Sequence, residues 1–166
     1  MSRGLGDVYK RQYLGNASNY KLHLLSNQPK FKLHSQLDQG KVADGEKSDG
    51  RAIIEVNIRD AEARDLSEGA LVRVFNDRGS CLAVMKISKD IMQGVVNIPT
   101  GAWLDPSKSD SISCVHGNPN VLTLDAGTSK LAQGPSSHTC LVEIEQYEND
   151  PPKIGAFDPP KIIKSN

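Results

Sequence analysis

The stretch Ala70-Leu71-Val72-Arg73-Val74-Phe75-Asn76-Asp77-Arg78-Gly79-Ser80-Cys81-Leu82-Ala83-Val84-Met85-Lys86-Ile87 reads as two β-strands and the turn that joins them. In Asn76-Asp77-Arg78-Gly79, Gly79 can take a positive φ and Asn76 or Asp77 can hydrogen-bond the turn. Outward from this hairpin, Ile53-Ile54-Glu55-Val56-Asn57-Ile58 is β-branched and alternating, and Lys21 to Leu25 alternates too. Gly94 to Ile98 and Leu141 to Tyr147 supply two more strands. Arg59 to Leu66 predicts a short helix, with Asp60 as N-cap, Ala61 and Ala63 favouring helix, and Ser67-Glu68-Gly69 stopping it. Six or so strands, a short helix and long crossing loops make the chain mainly β and fit a closed barrel better than a sandwich.

Length, charge and composition set bounds. A chain of 166 residues holds one domain with a sizeable core. Its 20 basic and 20 acidic residues cancel, so no basic field points to nucleic acid or an anionic membrane. No apolar run approaches the roughly 20 residues that cross a bilayer. Cys81, Cys114 and Cys140 lie far apart without a C-x-x-C pair, which predicts buried free thiols rather than disulfides, zinc or an iron–sulfur site. Residues 1–12 share no periodicity with the rest of the chain and read as a non-native adapter, so the domain is expected over 13–147, within a longer reading frame. The sequon Asn16-Ala17-Ser18 matters only in a secreted eukaryotic chain. Asp38 to Arg51 carries Gly, Asp, Glu, Lys and Ser with almost no apolar anchor and predicts a solvent-exposed, mobile loop. The segment 148–166, with Pro151, Pro152, Pro159 and Pro160, is expected to lie extended along a surface.

Two stretches concentrate neutral hydrogen-bonding groups. The first, Leu24 to Leu37, carries Ser26, Asn27, Gln28, His34, Ser35 and Gln36, with charge only at Lys30 and Lys32. Neutral donors and acceptors suit a heterocycle with amide-like edges, and nearby ammonium groups suit a phosphate. The second runs from Cys114 to Gly134 and repeats that chemistry in Asn118, Asn120, Thr128, Ser129 and Gln133, while Gly117, Gly127 and Gly134 allow close backbone approach to a ligand. The plainer alternative for both is a polar loop that satisfies itself through Asx turns.

Four ordered blocks carry a family resemblance: Leu33-His34-Ser35-Gln36-Leu37; Asp60 to Arg64 running through Gly69 and Val72 to Gly79; Asn120-Val121-Leu122; and Gly127 to Gly134. Over Tyr20 to Tyr147 the chain resembles the C-terminal cofactor-binding domain of the dimethyl sulfoxide reductase family of molybdopterin oxidoreductases. It is most similar to the branch containing biotin sulfoxide, dimethyl sulfoxide and trimethylamine N-oxide reductases. The resemblance implies a six-stranded double-psi β-barrel that contacts bis(molybdopterin guanine dinucleotide). The molybdenum ligand would come from upstream catalytic domains of the same polypeptide, so this part has no catalytic or metal-binding residue and does not act alone. Position by position, the resemblance implies first pterin and diphosphate contacts at Ser26, Asn27 and Gln28, the next at His34, Ser35 and Gln36, and later ones at Asn120 and His138. Gln133 lies in the last matching block. Gln28 stands where relatives carry His before Pro29, and His138 where they carry Gln.

The chemistry agrees with that role. A pterin's N–C=O edge and amino group pair with Asn, Gln, Ser and backbone groups at low desolvation cost. The competing class is a free-standing β-barrel that binds another nucleotide or a protein without redox chemistry. Substrate, electron donor, and a cytoplasmic or periplasmic site in a bacterium are left open. Among single residues, His23 reads as structural and His116 as bonding its own loop. Trp103 reads as a stacking or a core residue, and Arg78 as solvated or phosphate-facing. Asp125-Ala126-Gly127-Thr128 lacks the hydroxyl and the second copy of an aspartic-protease motif.

Overall fold

The structure, a computed structural model, describes residues 19–108, 112–124, 127, 129–131, 133–134, 140–160 and 162–163. Asn16 to Ser18, Thr128, His138, the 1–12 segment and most of the Asp125 to Thr128 motif lie outside the described residues.

Eight strands form, β1 (Leu22–Leu25), β2 (Lys47–Ser48), β3 (Arg51–Asn57), β4 (Leu71–Phe75), β5 (Ser80–Ser88), β6 (Val95–Asn97), β7 (Ser113–Cys114) and β8 (Cys140–Gln146), with one helix, α1 (Ile58–Glu62), among the described residues. Six of the strands close a ring in the order β3-β6-β1-β8-β4-β5, because β3 also pairs with β5. Two pairings are parallel, β1 with β6 and β3 with β5, and the other ring pairings are antiparallel. β6 enters between β1 and β3, so the connection from β1 to β3 spans the barrel end. This is the double-psi β-barrel that the resemblance implies.

Alternation fills the interior. Leu22 and Leu24, Ile54 and Val56, Val72 and Val74, Val142 and Ile144 are buried at every second position, each contributing about 2 kcal/mol of apolar burial. β5 departs from alternation: Ser80 to Met85 are all buried, because β3, β4 and β7 all pair with this strand. Cys81, Cys114 and Cys140 are buried free thiols, in keeping with their spacing. Burial pushes Cys140 up to about 11 and Cys81 further still, which keeps both protonated.

Several expectations are corrected. Asn57, not Asp60, caps the helix: its side chain accepts from Arg59 N at 3.0 Å while its backbone is still extended in β3. The helix therefore begins at Ile58 and ends at Glu62, before Ser67-Glu68-Gly69 is reached. Asp60 is buried on the helix and accepts from Gly94 N at 2.6 Å. The turn Asn76–Gly79 forms, with Asn76 N bonded to Gly79 O, yet Gly79 does not take a positive φ. A Cβ there would lie 2.7 Å from Val121 O and closer still to Ile112 O, so glycine is needed for packing.

The stretch from Asp38 to Arg51 is not a loose surface loop. Asp38, Ala43 and Arg51 are buried, Ala43–Glu46 is a 3₁₀ turn and Lys47–Ser48 pairs with β3. Asp38 and Arg51 also find partners far along the chain, at Trp103, Val115 and Pro152, which local composition does not reveal.

Candidate functional site

The first polar stretch runs beside the loop that follows β6 because β1 and β6 are parallel neighbours. Their C-terminal ends, Leu25 and Asn97, are paired in register, so the loops that continue from them leave the same end of the barrel side by side. Ile98 N donates to Leu25 O at 3.0 Å, and Thr100 N to Asn27 O at 2.9 Å, extending the pairing into the loops. Next, His34 comes against Gly101: a Cβ on Gly101 would sit 2.5 Å from the His34 carbonyl carbon, and Gly101 has φ +97°. Only glycine permits that approach. His34 itself has φ +49°. The result is a cleft of about 510 Å³ lined by His34, Ser35, Thr100, Gly101, Trp103 and Asn120, among others.

One wall of the cleft is clamped at the peptide of Trp103. Its N–H donates to Asp38 Oδ2 at 3.0 Å. Its carbonyl accepts from His116 Nδ1 at 3.0 Å, which fixes the proton on Nδ1 because a carbonyl only accepts. The indole Nε1 donates to Ser35 O at 2.7 Å, joining this wall to the facing one. Asp38 and His116 are fully buried. Desolvation alone would raise the Asp38 pKa. The bond from Lys32, the Trp103 N–H and the charges of Lys32 and Lys47 outweigh it, so the carboxyl lies below its ordinary value. Lys32 and Lys47 both ion-pair with Asp38 Oδ1, and their side chains are 7% and 6% exposed. Desolvation lowers the His116 pKa despite the Trp103 carbonyl and Asp38, so the imidazole is neutral near pH 7. His116 thus bonds the Trp103 peptide and not its own loop.

The other wall is a 3₁₀ turn, Pro119–Leu122, capped by Asn118, whose side chain accepts from Asn120 N at 2.9 Å. The β4–β5 hairpin holds this turn in place. Leu122 O accepts from Asn76 Nδ2 at 2.9 Å and from Arg78 Nε at 2.8 Å. Arg78 is therefore tied to this turn through Nε and is not freely solvated.

The family model described as the Molydopterin dinucleotide binding domain matches residues 22–141. The chain belongs to this family. It is 48% identical over 113 residues to a trimethylamine-N-oxide reductase of Salmonella typhi, covering 67% of this chain and 13% of that protein. It is 43% identical over 116 residues to a biotin sulfoxide reductase of Cereibacter sphaeroides, covering 70% and 16%. These relatives lie in the branch to which the four sequence blocks point. Among solved structures, acetylene hydratase from Pelobacter acetylenicus superposes with a TM-score of 0.65 at 17% identity, over 83% of this chain and 20% of that one, a likeness of fold.

Within this molybdopterin dinucleotide-binding domain, His34, Ser35 and Asn120 come together in the cleft. Ser26, Asn27 and Gln28 begin the same loop; Ser26 Oγ is buried and finds no hydrogen-bond partner among the described residues, and Gln28 Nε2 donates to Lys32 O at 3.3 Å. Gln36 is exposed, its backbone N–H bonded to Leu33 O at 3.0 Å. Gln133 is exposed, bonds Lys130 O at 3.4 Å and is not among the cleft residues. Gly117 is buried against Ala52 of β3 and faces no ligand surface. A larger cavity, about 760 Å³, lies beside β5, β7 and the C-terminal segment, and contains none of the predicted residues. We place the site at the smaller cleft because the uncharged donor groups converge there.

Sequence reading misses the buried support of the cleft: Asp38 and Lys47 carry no assigned role there, Lys32 is expected at a phosphate and instead pairs with Asp38, and His116 is expected at its own loop and instead bonds the Trp103 carbonyl. Two lysines flanking an acidic residue are visible in the sequence, but their burial is not. Among the described residues, no group of three or more His, Cys, Asp or Glu is arranged to hold a metal ion, and no helix is long and apolar enough to cross a membrane.

Proposed function

We propose that this domain binds and orients bis(molybdopterin guanine dinucleotide) within a molybdenum oxidoreductase that reduces an S-oxide or N-oxide. The observation that carries the reading is the convergence of His34, Ser35 and Asn120 on one cleft. The donor set fits the group: uncharged amide, hydroxyl and imidazole side chains, with Gly101 letting the His34 backbone pack against the cleft wall. His34, Ser35 and Asn120 would hold the cofactor, Ser26 to Gln28 would extend the contact, and Trp103 would fix the wall. The cofactor, when bound, supplies the oxygen-atom transfer; this domain contributes binding, orientation and exclusion of water. The chain spans only 13% and 16% of the two curated relatives named above, so the catalytic body and the electron-donor contact belong to other parts of such a polypeptide.

The test is to express the complete polypeptide in a host that makes the cofactor and measure bound molybdenum and GMP released on hydrolysis. His34→Ala with Asn120→Ala is expected to lower both about tenfold, the equivalent of one to two lost hydrogen bonds. Full occupancy in the double variant would return these loops to an ordinary polar surface.

A further inference from the structure

The segment after β8 lies beyond the residues that match the family model, yet it reaches the support of the cleft. Arg51, buried in β3, donates from Nε to Val115 O at 3.0 Å and from Nη2 to Pro152 O. Asp105, two residues beyond Trp103, accepts from Gly155 N at 2.6 Å and from Ala156 N at 3.0 Å through Oδ2. These bonds deliver Phe157 onto the clamp. Its ring meets Trp103 edge-on at 5.3 Å between centroids and His116 at 5.0 Å with the planes at 90°. Lys47, which pairs with Asp38, places Nζ 4.8 Å from the same ring centroid. One aromatic ring therefore contacts the clamped residue, the imidazole that holds its carbonyl and the ammonium that neutralises the carboxylate holding its N–H. Edge-to-face and cation–π contacts of this kind fix ring orientation as well as adding burial.

We propose that Phe157 is a positioning residue for the cofactor cleft: through His116, Trp103 and Lys47 it holds the Gly101–Trp103 wall in the shape that the ligand meets. This rests on the cofactor reading of the cleft. The polar residues of the cleft bind; Phe157 is not among the residues that line it and acts through the clamp.

The experiment compares the complete polypeptide with its Phe157→Ala, Phe157→Leu and Phe157→Tyr variants. Two quantities are read: hydrogen–deuterium exchange of the peptide covering Gly101 to Asp105, in protein made without cofactor, and GMP released per polypeptide, in protein made with it. Phe157→Ala is expected to speed exchange at the Trp103 amide about tenfold and to lower retained GMP severalfold. Phe157→Leu, which keeps apolar bulk and a folded chain but removes the ring edge, should fall between, and Phe157→Tyr should restore both. Unchanged exchange in Phe157→Ala and Phe157→Leu would overturn the proposal. So would faster exchange with GMP fully retained, provided that His34→Ala with Asn120→Ala loses GMP. If that double variant also retains GMP, the cofactor reading of the cleft has failed, and this inference with it.

Discussion

In the β4–β5 turn the polar side chains are consumed by the protein itself, whereas in the loop after β1 they are left at the surface. Asn76 accepts from Arg78 N through Oδ1 and donates through Nδ2 to the carbonyls of Leu122 and Leu141. Arg78 adds a second donor to Leu122. In the loop, by contrast, the bonds run through backbone: Asn27 O, Ser35 O and Gln36 N are engaged, while the side chains of Asn27, His34, Ser35 and Gln36 are exposed. The loop owes its order to its far end, where Asp38 is buried between Lys32, Lys47 and Trp103. Similar composition thus gives scaffold where neighbouring carbonyls take up the side chains, and a candidate site where buried charge does the anchoring.

The largest effect is expected at that anchor. Asp38→Ala leaves two lysines buried without their carboxylate and should cost about 3–5 kcal/mol, read as a lowered denaturant midpoint at constant slope. Replacing all three charges, Asp38→Leu with Lys32→Met and Lys47→Met, should recover most of that loss. A cost below about 1 kcal/mol for Asp38→Ala would mean that the loop is held by its backbone bonds and by Glu46 Oε1, which accepts from Lys30 N and Phe31 N, rather than by Asp38. Next comes the hairpin. Asn76→Ala removes one bond to the Leu141 carbonyl and one of the two side-chain bonds to Leu122 O, so about 2–3 kcal/mol should be lost. That change should also loosen the Asn118–Asn120 turn, measurable as faster amide exchange there.

The barrel is legible from sequence because each strand carries its own signal. Val72, Val74, Ile54 and Val56 alternate, and the turn between β4 and β5 has its own chemistry. Boundaries shift by a residue or two where a polar residue serves two elements, as Asn57 does in ending β3 and capping α1. The site is legible only as a set of residue types. Its convergence depends on β1 lying parallel to β6, a pairing of His23 with Val95 and Leu25 with Asn97 that no local pattern encodes. Asp38 is hidden for the same reason: in sequence it sits in a hydrophilic run, and its Trp103 partner is 65 residues away. Turn chemistry explains a glycine at position 79 but not the cause that operates, since the carbonyls that exclude a Cβ come from Ile112 and Val121.

The clamp should also be visible in the pH dependence of stability. Both His116 and Asp38 have folded pKa values below their ordinary ones, 6.5 and 3.8. The unfolded chain then binds protons more readily, so the stabilisation is full above the unfolded value and is lost as pH falls towards the folded one. His116 acts first, from about pH 6.5 downward, and Asp38 below about pH 3.8. Denaturant midpoints should fall between about pH 7 and pH 5 in the wild type, and His116→Gln, which can still donate to the Trp103 carbonyl, should flatten that slope. A wild-type midpoint that is level over this range would show that His116 takes up its proton equally in the folded and the unfolded chain, and that burial does not hold it neutral.

The smallest stability effect is predicted where the ligand effect is expected to be large, and it has the opposite sign. His34 is exposed and has φ +49°, a left-handed conformation that costs a residue with a Cβ about 1–2 kcal/mol. Glycine enters it freely but loses more entropy on folding. His34→Gly should therefore leave stability unchanged or raise it by up to about 1 kcal/mol, while retained GMP falls as in His34→Ala. Strain at a position that contributes little to the fold is intelligible if the imidazole serves the cleft. A clear loss of stability in His34→Gly would instead give the ring a packing role, and the contrast between a self-satisfied hairpin and an open, ligand-facing loop would then fail at the residue where it is sharpest.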